Sequence, residues 1–261
     1  MPELPEVEQT KRYLEKYALN RRIISVMVLD GGILEEIDEQ TFRQDLIGRS
    51  MTNAGRRGKQ MFIGLDDGSF LTIHLGMTGD MIISEDDQVP KYSRLALRFE
   101  DGANLFYVDQ RKFGAIGVVG SIDRFVVEHR LGPDALCINR SDFVERVSVH
   151  KKAIKSVLLD QSVISGIGNL YADEALFQVR LHPAMKANVI SQRKLADLYS
   201  QIGTILRASI AVSSDFAALP NGYLLRVRRE GAECPRGNGP LAMIRIGGRT
   251  SIFCPRCQRS K

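Results

Sequence analysis

Near the N-terminus, apolar residues recur at a spacing typical of one helix face: Val7, Leu14, Tyr17 and Ala18. Charged residues lie between them, so the pattern predicts an amphipathic helix over residues 6–19. From about residue 141 onward the spacing is helical again. Four further helices are predicted, at residues 141–150, 153–159, 170–179 and 191–212.

Between residues 23 and 120 the apolar runs are short and separated by turn signals, as in a β-sheet protein. Two Asp-Gly pairs, Asp67-Gly68 and Asp101-Gly102, each separate two such runs. Asp-Gly is favoured in tight hairpins because these residues adopt positive φ at low cost. The predicted strands beside the two turns are residues 61–65, 70–74, 95–99 and 105–108. This stretch therefore predicts a β-sandwich or barrel.

From Tyr223 the pattern is β-type, with runs at 243–246 and 251–253 on either side of Gly247-Gly248, which predicts a hairpin. With 261 residues, 44% of them hydrophobic, the chain is large enough for two domains. The sequence shows no signal peptide and no transmembrane candidate. We therefore expect a cytoplasmic protein, nucleoid-associated in a bacterium, with no membrane partner.

Positive charge is concentrated at the C-terminal end. The net charge is +5, and residues 226–261 alone contain nine Lys or Arg and two Glu. A short basic tail on a near-neutral body is typical of a protein that binds a polyanion. A solubilising tail is the alternative, but turn residues and cysteines interrupt this segment and indicate that it folds.

Three of the four cysteines lie in this tail. Cys254-Pro-Arg-Cys257 has the spacing of a metal knuckle, and a second pair usually lies roughly 15–20 residues upstream. Here the second pair is incomplete, because Cys234-Pro-Arg-Gly237 has glycine where the fourth ligand belongs. A disulfide with a free thiol is the alternative, which a cytoplasmic location disfavours. Cys137 is expected to be a small buried hydrophobe.

The tail therefore predicts a zinc-ribbon shape and leaves zinc binding open. Three thiolates could hold zinc with a water molecule or a carboxylate such as Glu233, but an open fourth position is uncommon in structural sites. The two predicted strands can pair without metal. We expect zinc to be sub-stoichiometric or absent.

The first six residues suggest a nucleophile. After removal of Met1, Pro2 would present an α-amino group, which titrates at about pH 7.7–8.0 and is partly unprotonated near neutrality. Such an amine attacks an aldehydic carbon to form an iminium, and Glu3 and Glu6 lie within one turn of it for proton transfer or orientation. The structural alternative is that Pro5 begins a helix whose N-terminus favours acidic residues.

A glycine-rich turn, Gly166-Ile167-Gly168-Asn169, separates two predicted helices. Closely spaced N–H groups at the start of a helix can bind phosphate. Glycine turns between helices are common, so this motif alone is weak evidence for such a site.

Seven segments carry a specific resemblance along nearly the whole chain: Pro2–Glu8, Arg57–Lys59, His74–Gly79, Asp109–Gly114, Leu131–Pro133, Gly166–Glu174 and the cysteine-containing tail. With these segments in this order, the chain resembles the formamidopyrimidine-DNA glycosylases. These belong to the helix–two-turn–helix superfamily, which also includes endonuclease VIII.

The resemblance implies an α+β fold of three parts. Residues 1–125 would form an N-terminal catalytic β-sandwich with a leading helix, and residues 135–222 a helix–two-turn–helix DNA-binding domain. Residues 223–261 would form a zinc-ribbon-like β-hairpin finger. The implied partner is double-stranded DNA containing damaged bases, bound by a monomer.

The resemblance also implies bifunctional glycosylase and AP lyase chemistry on a flipped nucleotide. Pro2 would attack C1′ of the deoxyribose and displace the base, and β- and δ-elimination from the resulting imine would then cut the strand. Glu3 would act as the acid on the sugar side, and Glu6 would orient the base or water. Lys59 and Arg249 would hold phosphates. Without the resemblance, Lys59 is a solvated turn lysine and Arg249 an exposed hairpin arginine.

By the same resemblance, Met77, Arg111 and Phe113 would fill the space left by the flipped base, with arginine pairing to the orphan cytosine. Without it, a methionine and a phenylalanine in β-type segments are more often core residues. His74 is expected to be structural. The residues that match phosphate-contact positions are Lys151, Lys155 and Asn169, and Tyr92 stands where relatives have a DNA-contacting histidine.

Three departures bear on these implications: the missing fourth cysteine, Tyr92, and a short segment from Ala211 to Cys234. Relatives that cap 8-oxoguanine with a mobile loop are longer in this segment and have a Gly-Gly-Ser/Thr lead-in. The Arg111/Phe113 pair favours oxidised purines, and the expected substrates are 8-oxoguanine and formamidopyrimidine. The alternatives are an endonuclease VIII-like preference for oxidised pyrimidines, a catalytically silent lesion-binding protein, and a plain zinc-ribbon nucleic-acid module.

Overall fold

A computed structural model describes residues 2–259 of the chain. It divides into two compact units, one comprising Pro2 with Glu6–His129 and the other comprising Glu3–Pro5 with residues from Arg130 onward. No helix in the described part is long and apolar enough to cross a membrane. The α-helices in this part are α1 Leu4–Tyr17, α2 Glu39–Leu46, α3 Ile122–Glu128, α4 Arg140–Ser148, α5 Ile154–Leu159, α6 Asn169–Gln178 and α7 Gln192–Ala211.

The first unit is a β-sandwich, as predicted. Its strands are β1 Ile23–Val28, β2 Met51–Arg57, β3 Gln60–Leu65, β4 Phe70–His74, β5 Gly79–Ser84, β6 Ser93–Phe99, β7 Asn104–Asp109 and β8 Ala115–Val119. They form two antiparallel sheets, in the orders β1-β6-β7-β5 and β2-β3-β4-β8. Alternate apolar side chains from both sheets share one core, which includes Leu97 and Ile63.

Both predicted Asp-Gly hairpins are present. Gly68 and Gly102 have φ of +86° and +91°, which only glycine adopts without strain. The strands that flank them are β3 with β4, and β6 with β7, close to the predicted bounds. Local turn chemistry is therefore sufficient to set these pairings.

The leading helix begins two residues earlier than predicted, at Leu4, with Pro5 in its first turn. Val7, Leu14 and Ala18 are buried in the sandwich core as expected. The assignment of Tyr17 to the same buried face is wrong, because its side chain is 39% exposed. The Tyr17 ring instead contacts the Tyr13 ring, with centroids 5.0 Å apart and planes tilted by 53°.

The second unit is helical and ends in a hairpin. Its core combines α4 to α7, with side chains such as Phe143, Leu176 and Leu198 fully buried. The hairpin strands are β9 Ala242–Ile246 and β10 Arg249–Phe253, joined by two glycines with positive φ. Cys137 is exposed, so the expectation that it is buried was wrong: it lies in the turn that leads into α4.

Candidate active site

Pro2 lies beside an open cavity in the first unit. The cavity has a volume of about 600 Å³, and Pro2, Glu6 and Tyr13 line it together with residues from the segment 75–82. Pro2 and Glu6 are both half-buried. A cavity of this volume is large enough to take a small ligand or a nucleotide fragment. The structure thus brings the predicted nucleophile and one predicted carboxylate to the same opening.

Glu3 is 1% exposed and caps the helix that follows the glycine-rich turn. Its Oε1 accepts a hydrogen bond from Leu170 N–H at 2.8 Å, and its Oε2 accepts one from Tyr171 N–H at 3.3 Å. The first N–H groups of a helix have no partner within the helix. The N-cap residue Gly168 has no side chain to accept them. Glu3 supplies the missing acceptor, and the helix dipole favours its negative charge.

Gly168 makes this arrangement possible because it has no Cβ. A Cβ built at this position would lie 2.2 Å from Glu3 Cδ, far inside van der Waals contact. The neighbouring backbone is held as well, since Leu4 N–H donates to Gly166 C=O at 3.1 Å. The glycine of the turn therefore leaves the space that the Glu3 carboxylate occupies.

Lys59 lies in the turn between β2 and β3 and is half-buried. Burial, and then the positive charge of Lys59, lower the pKa of His74. The neutral ring accepts a hydrogen bond at Nδ1 from Gly76 N–H at 3.2 Å. His74 therefore has the structural role expected of it, because this bond orients the loop that contains Met77.

A buried carboxylate organises the loop after β7. Asp109 accepts hydrogen bonds from the backbone N–H groups of Arg111, Phe113 and Gly114 at 2.9–3.1 Å. It also accepts from the hydroxyl of Thr78, whose oxygen accepts in turn from Arg111 N–H. Burial alone would raise the pKa of Asp109, but these hydrogen bonds together lower it.

The three predicted void-filling residues lie on the two loops that Asp109 and Thr78 join. Phe113 is 57% exposed, which is unusual for a phenylalanine, and the Arg111 guanidinium lies 5.0 Å from its ring centroid. Met77 is half-buried. None of these side chains belongs to the hydrophobic core, so the core alternative does not apply to them.

Most of the predicted DNA contacts are exposed, Asn169 is half-buried, and one exception is fully buried. Arg249 is exposed at the start of β10, and Lys151 is exposed before α5. Tyr92 is 39% exposed, has a φ of +67°, and carries Lys91 Nζ 4.8 Å from its ring centroid. Asn169 is the first residue of α6, and its buried Oδ1 has no hydrogen-bond partner among the described residues.

The exception is Lys155, whose predicted phosphate contact the structure contradicts. Its side chain is 0% exposed and lies 2.7 Å from Asp173 Oδ1. Burial lowers the pKa of Lys155, and the adjacent carboxylate opposes that change. Its ammonium also donates to Thr250 C=O at 2.7 Å. The side chain therefore points into the protein.

The three tail cysteines converge, with their sulfur atoms within 4.8 Å of one another. Gly237 offers no ligand atom, and a Cβ there would meet open space. Glu233, considered above as a fourth ligand, instead accepts a hydrogen bond from Gly239 N–H at 2.9 Å. Burial raises the pKa of Cys254 to about 11. Three thiols without a fourth donor among residues 2–259 do not fit a closed tetrahedral zinc site.

Sequence reasoning did not assign roles to Asp109, Thr78, Gly168 or Asp173. All four lie within the segments that carried the family resemblance, so their positions were visible but their hydrogen bonds were not. Asp173 lies in the middle of α6, where no local pattern distinguishes it from a surface aspartate.

Comparisons with known proteins agree with this architecture. The model of the formamidopyrimidine-DNA glycosylase N-terminal domain matches residues 1–116, and the model of the H2TH domain of the same proteins matches residues 131–218. A formamidopyrimidine-DNA glycosylase of Desulfitobacterium hafniense is 35% identical over 274 residues, which cover 99% of this chain and 100% of the relative.

Two solved structures illustrate the likeness in fold. One is the Lactococcus lactis formamidopyrimidine-DNA glycosylase bound non-covalently to DNA containing an AP site, with a TM-score of 0.90 and 27% identity. The other is MutM in complex with DNA containing carbocyclic 8-oxo-G, with a TM-score of 0.90 and 28% identity. Each alignment covers 99% of this chain and 100% of the other.

The fold and the site thus define a DNA glycosylase with a helix–two-turn–helix domain. The chain belongs to the formamidopyrimidine-DNA glycosylase family. It is an enzyme of base-excision repair, and AP lyase activity is general to this family.

Proposed function

We propose that Pro2 is the nucleophile. Its secondary amine attacks C1′ of a flipped nucleotide and the base departs with the glycosidic electron pair. The C1′–O4′ bond then breaks as the sugar ring opens, which leaves an iminium. The iminium acidifies the neighbouring sugar proton, so β- and then δ-elimination follow. The position of Pro2 at the rim of an open cavity, with Glu6 beside it, supports this role.

Glu3 moves the proton in this proposal. Its carboxylate takes a proton from the Pro2 ammonium and delivers it to the ring oxygen of the sugar as the ring opens. Two helix N–H groups hold both carboxylate oxygens, which supports a fixed orientation for that transfer. Glu6 orients the base or water from the cavity wall.

Base flipping leaves a gap in the duplex, which Met77, Arg111 and Phe113 fill in this proposal. The exposure of Phe113 and the cation–π contact with Arg111 support it, because such an apolar side chain gains by stacking on a base. Arginine can pair with the acceptors of an orphan cytosine. We therefore favour 8-oxoguanine and formamidopyrimidine as substrates. The MutM complex contains carbocyclic 8-oxo-G in its DNA, and a Lactococcus lactis Fpg complex contains Fapy-dG. An endonuclease VIII-like preference for oxidised pyrimidines is the alternative.

The proposed phosphate contacts are made by Lys59, Lys151, Asn169 and Arg249, with Tyr92 as a further donor. The basic C-terminal segment supports this, because neutralising phosphates requires Lys and Arg at the surface. No catalytic step is assigned to zinc. The enzyme is proposed to act as a monomer, as the family resemblance implies. Light scattering with and without DNA tests this.

The observation that carries the proposal is Pro2 at the cavity rim with Glu6. Borohydride should trap a covalent protein–DNA adduct on a duplex with 8-oxoguanine opposite cytosine. Pro2→Gly, or retention of Met1, should weaken or abolish it. Parallel duplexes with an oxidised pyrimidine measure the base preference. An undiminished adduct on protein with Met1 demonstrably retained would refute the assignment of Pro2.

A further inference from the structure

One buried carboxylate ties the C-terminal hairpin to the helix of the glycine-rich turn. Asp173, in the middle of α6, is 1% exposed. Four residues donate to it: Lys155 Nζ at 2.7 Å, Arg228 Nε and Nη2 at 3.0 and 2.6 Å, Ser251 Oγ at 2.6 Å and Ile252 N–H at 3.0 Å. Each of the two carboxylate oxygens therefore accepts at least two hydrogen bonds.

Two of these donors belong to β10, and Lys155 extends the connection by donating to Thr250 C=O at 2.7 Å. Three consecutive residues of the strand, Thr250 to Ile252, are thus held from α5 and α6. Arg249 is the residue immediately before them, one Cα step of about 3.8 Å away. Whatever fixes Thr250 therefore also fixes the backbone from which the Arg249 side chain extends.

A hydrophobic contact would not serve the same purpose. Burying charges is costly, and a buried ion pair is often no more stabilising than apolar residues of equal volume. Its distinctive effect is geometric, because each donor must meet a particular oxygen. The cysteine cluster cannot supply this constraint alone, since it has three ligands and an open fourth position.

The knuckles of the finger are tied to the same helix by other groups. Arg236 donates to the C=O groups of Phe177 and Gln178 at 2.9 and 3.1 Å, at the end of α6. Gln258 donates to Leu181 C=O at 2.8 Å and accepts from Cys254 N–H at 2.9 Å. These contacts hold the base of the finger, whereas the Asp173 cluster binds Thr250, Ser251 and Ile252 through hydrogen bonds. Apolar contacts to the same strand also exist, such as the edge-on contact of His182 with Phe253 at 4.9 Å, but they do not match donors to particular oxygens.

We propose that Asp173, with Lys155, is a positioning residue for Arg249, and that this cluster aligns the finger on DNA phosphates without requiring a metal. The inference rests on the proposed phosphate contact of Arg249. It assigns Lys155 a role in binding DNA that acts through the hairpin instead of through direct contact.

The test is a double-mutant cycle in DNA affinity, using a duplex that contains a tetrahydrofuran abasic analogue. Arg249→Ala should weaken binding about ten- to a hundred-fold, as expected for a lost charged hydrogen bond, and should flatten the salt slope by about 0.9. Asp173→Asn should weaken binding and flatten the slope in the same way. When Arg249 is already replaced by Ala, Asp173→Asn should weaken DNA binding by less than about a further two-fold.

Val147→Ala, in the core of α4, is the control for general destabilisation. It should lower the melting temperature while keeping the salt slope. If Asp173→Asn does not fold, Ser251→Ala removes one donor without leaving a buried charge unpaired, and a few-fold loss with the same non-additivity is expected. The inference would be overturned, with the phosphate role of Arg249 left intact, by either of two results. One is that the affinity losses of Asp173→Asn and Arg249→Ala multiply in the double mutant. The other is an unchanged salt slope in folded Asp173→Asn or Ser251→Ala. An unaffected Arg249→Ala would overturn the phosphate role of Arg249 and the inference with it.

Discussion

Gly168→Ala is a small substitution that should disable the Glu3 carboxylate. The backbone at Gly168 has φ −126° and ψ −162°, an extended conformation that alanine adopts without strain. The added methyl group, however, would lie 2.2 Å from Glu3 Cδ and 2.6 Å from both Cγ and Oε1. The effect therefore arises from the clash with Glu3 and not from the backbone.

The size of the clash sets the expected loss. To reach ordinary contact the carboxylate must move by about 1 Å, which lengthens or breaks its bonds to Leu170 and Tyr171. A displacement of about 1 Å in a catalytic group can cost about a hundred-fold in rate. Loss of hydrogen bonds to a charged group costs about 1.5–3 kcal/mol in stability, which corresponds to a melting temperature lower by several degrees.

The assay is single-turnover release of 8-oxoguanine, compared with equilibrium binding to a tetrahydrofuran duplex. Base release should fall about a hundred-fold while affinity changes less than about three-fold. Gly120→Ala is the matched control, because its Cβ would meet nothing within 4 Å. Wild-type excision by Gly168→Ala, or equal losses in excision and binding, would refute the positioning of Glu3 by this glycine.

Three further predictions concern the other parts of the site. The pKa of His74 is lowered in the fold, so its contribution to stability is present above about pH 6.5 and is lost as the pH falls toward the folded pKa. In urea titrations, His74→Gln should therefore lose less free energy of unfolding than the wild type between pH 7.5 and pH 5. Equal losses in the two proteins would contradict this role. Asp109→Asn leaves buried N–H groups without an acceptor and should cost about 1–3 kcal/mol for each, with weaker lesion binding measured by fluorescence anisotropy; unchanged stability and binding would exclude its organising role. Chelation should leave most DNA cleavage activity intact, whereas one tightly held zinc per chain, with activity lost on its removal, would overturn the expectation for the finger.

The sequence by itself determined most elements of secondary structure, because their signals are local. The Asp-Gly pairs require positive φ, which sets the turns between β3 and β4 and between β6 and β7. Apolar periodicity located five of the seven α-helices in the described residues to within about two residues, and it missed the short helices α2 and α3. Periodicity misplaced Tyr17, since it marks the face of an element but not where its packing partner ends. The burial expected of Cys137 came from residue type alone, and its place in an exposed turn overrides that preference.

Only the tertiary structure decided how the site residues are held. Glu3 accepts from Leu170 N–H, 167 positions away in the sequence, because a helix with a glycine N-cap leaves its first N–H groups unpaired. Lys155 looks like a surface cation in the sequence, yet it is buried against Asp173, which also binds the strand of Arg249. Spacing along the chain describes neighbours in one element. Which distant donor a buried carboxylate satisfies is settled only when the elements pack and every buried polar group must find a partner.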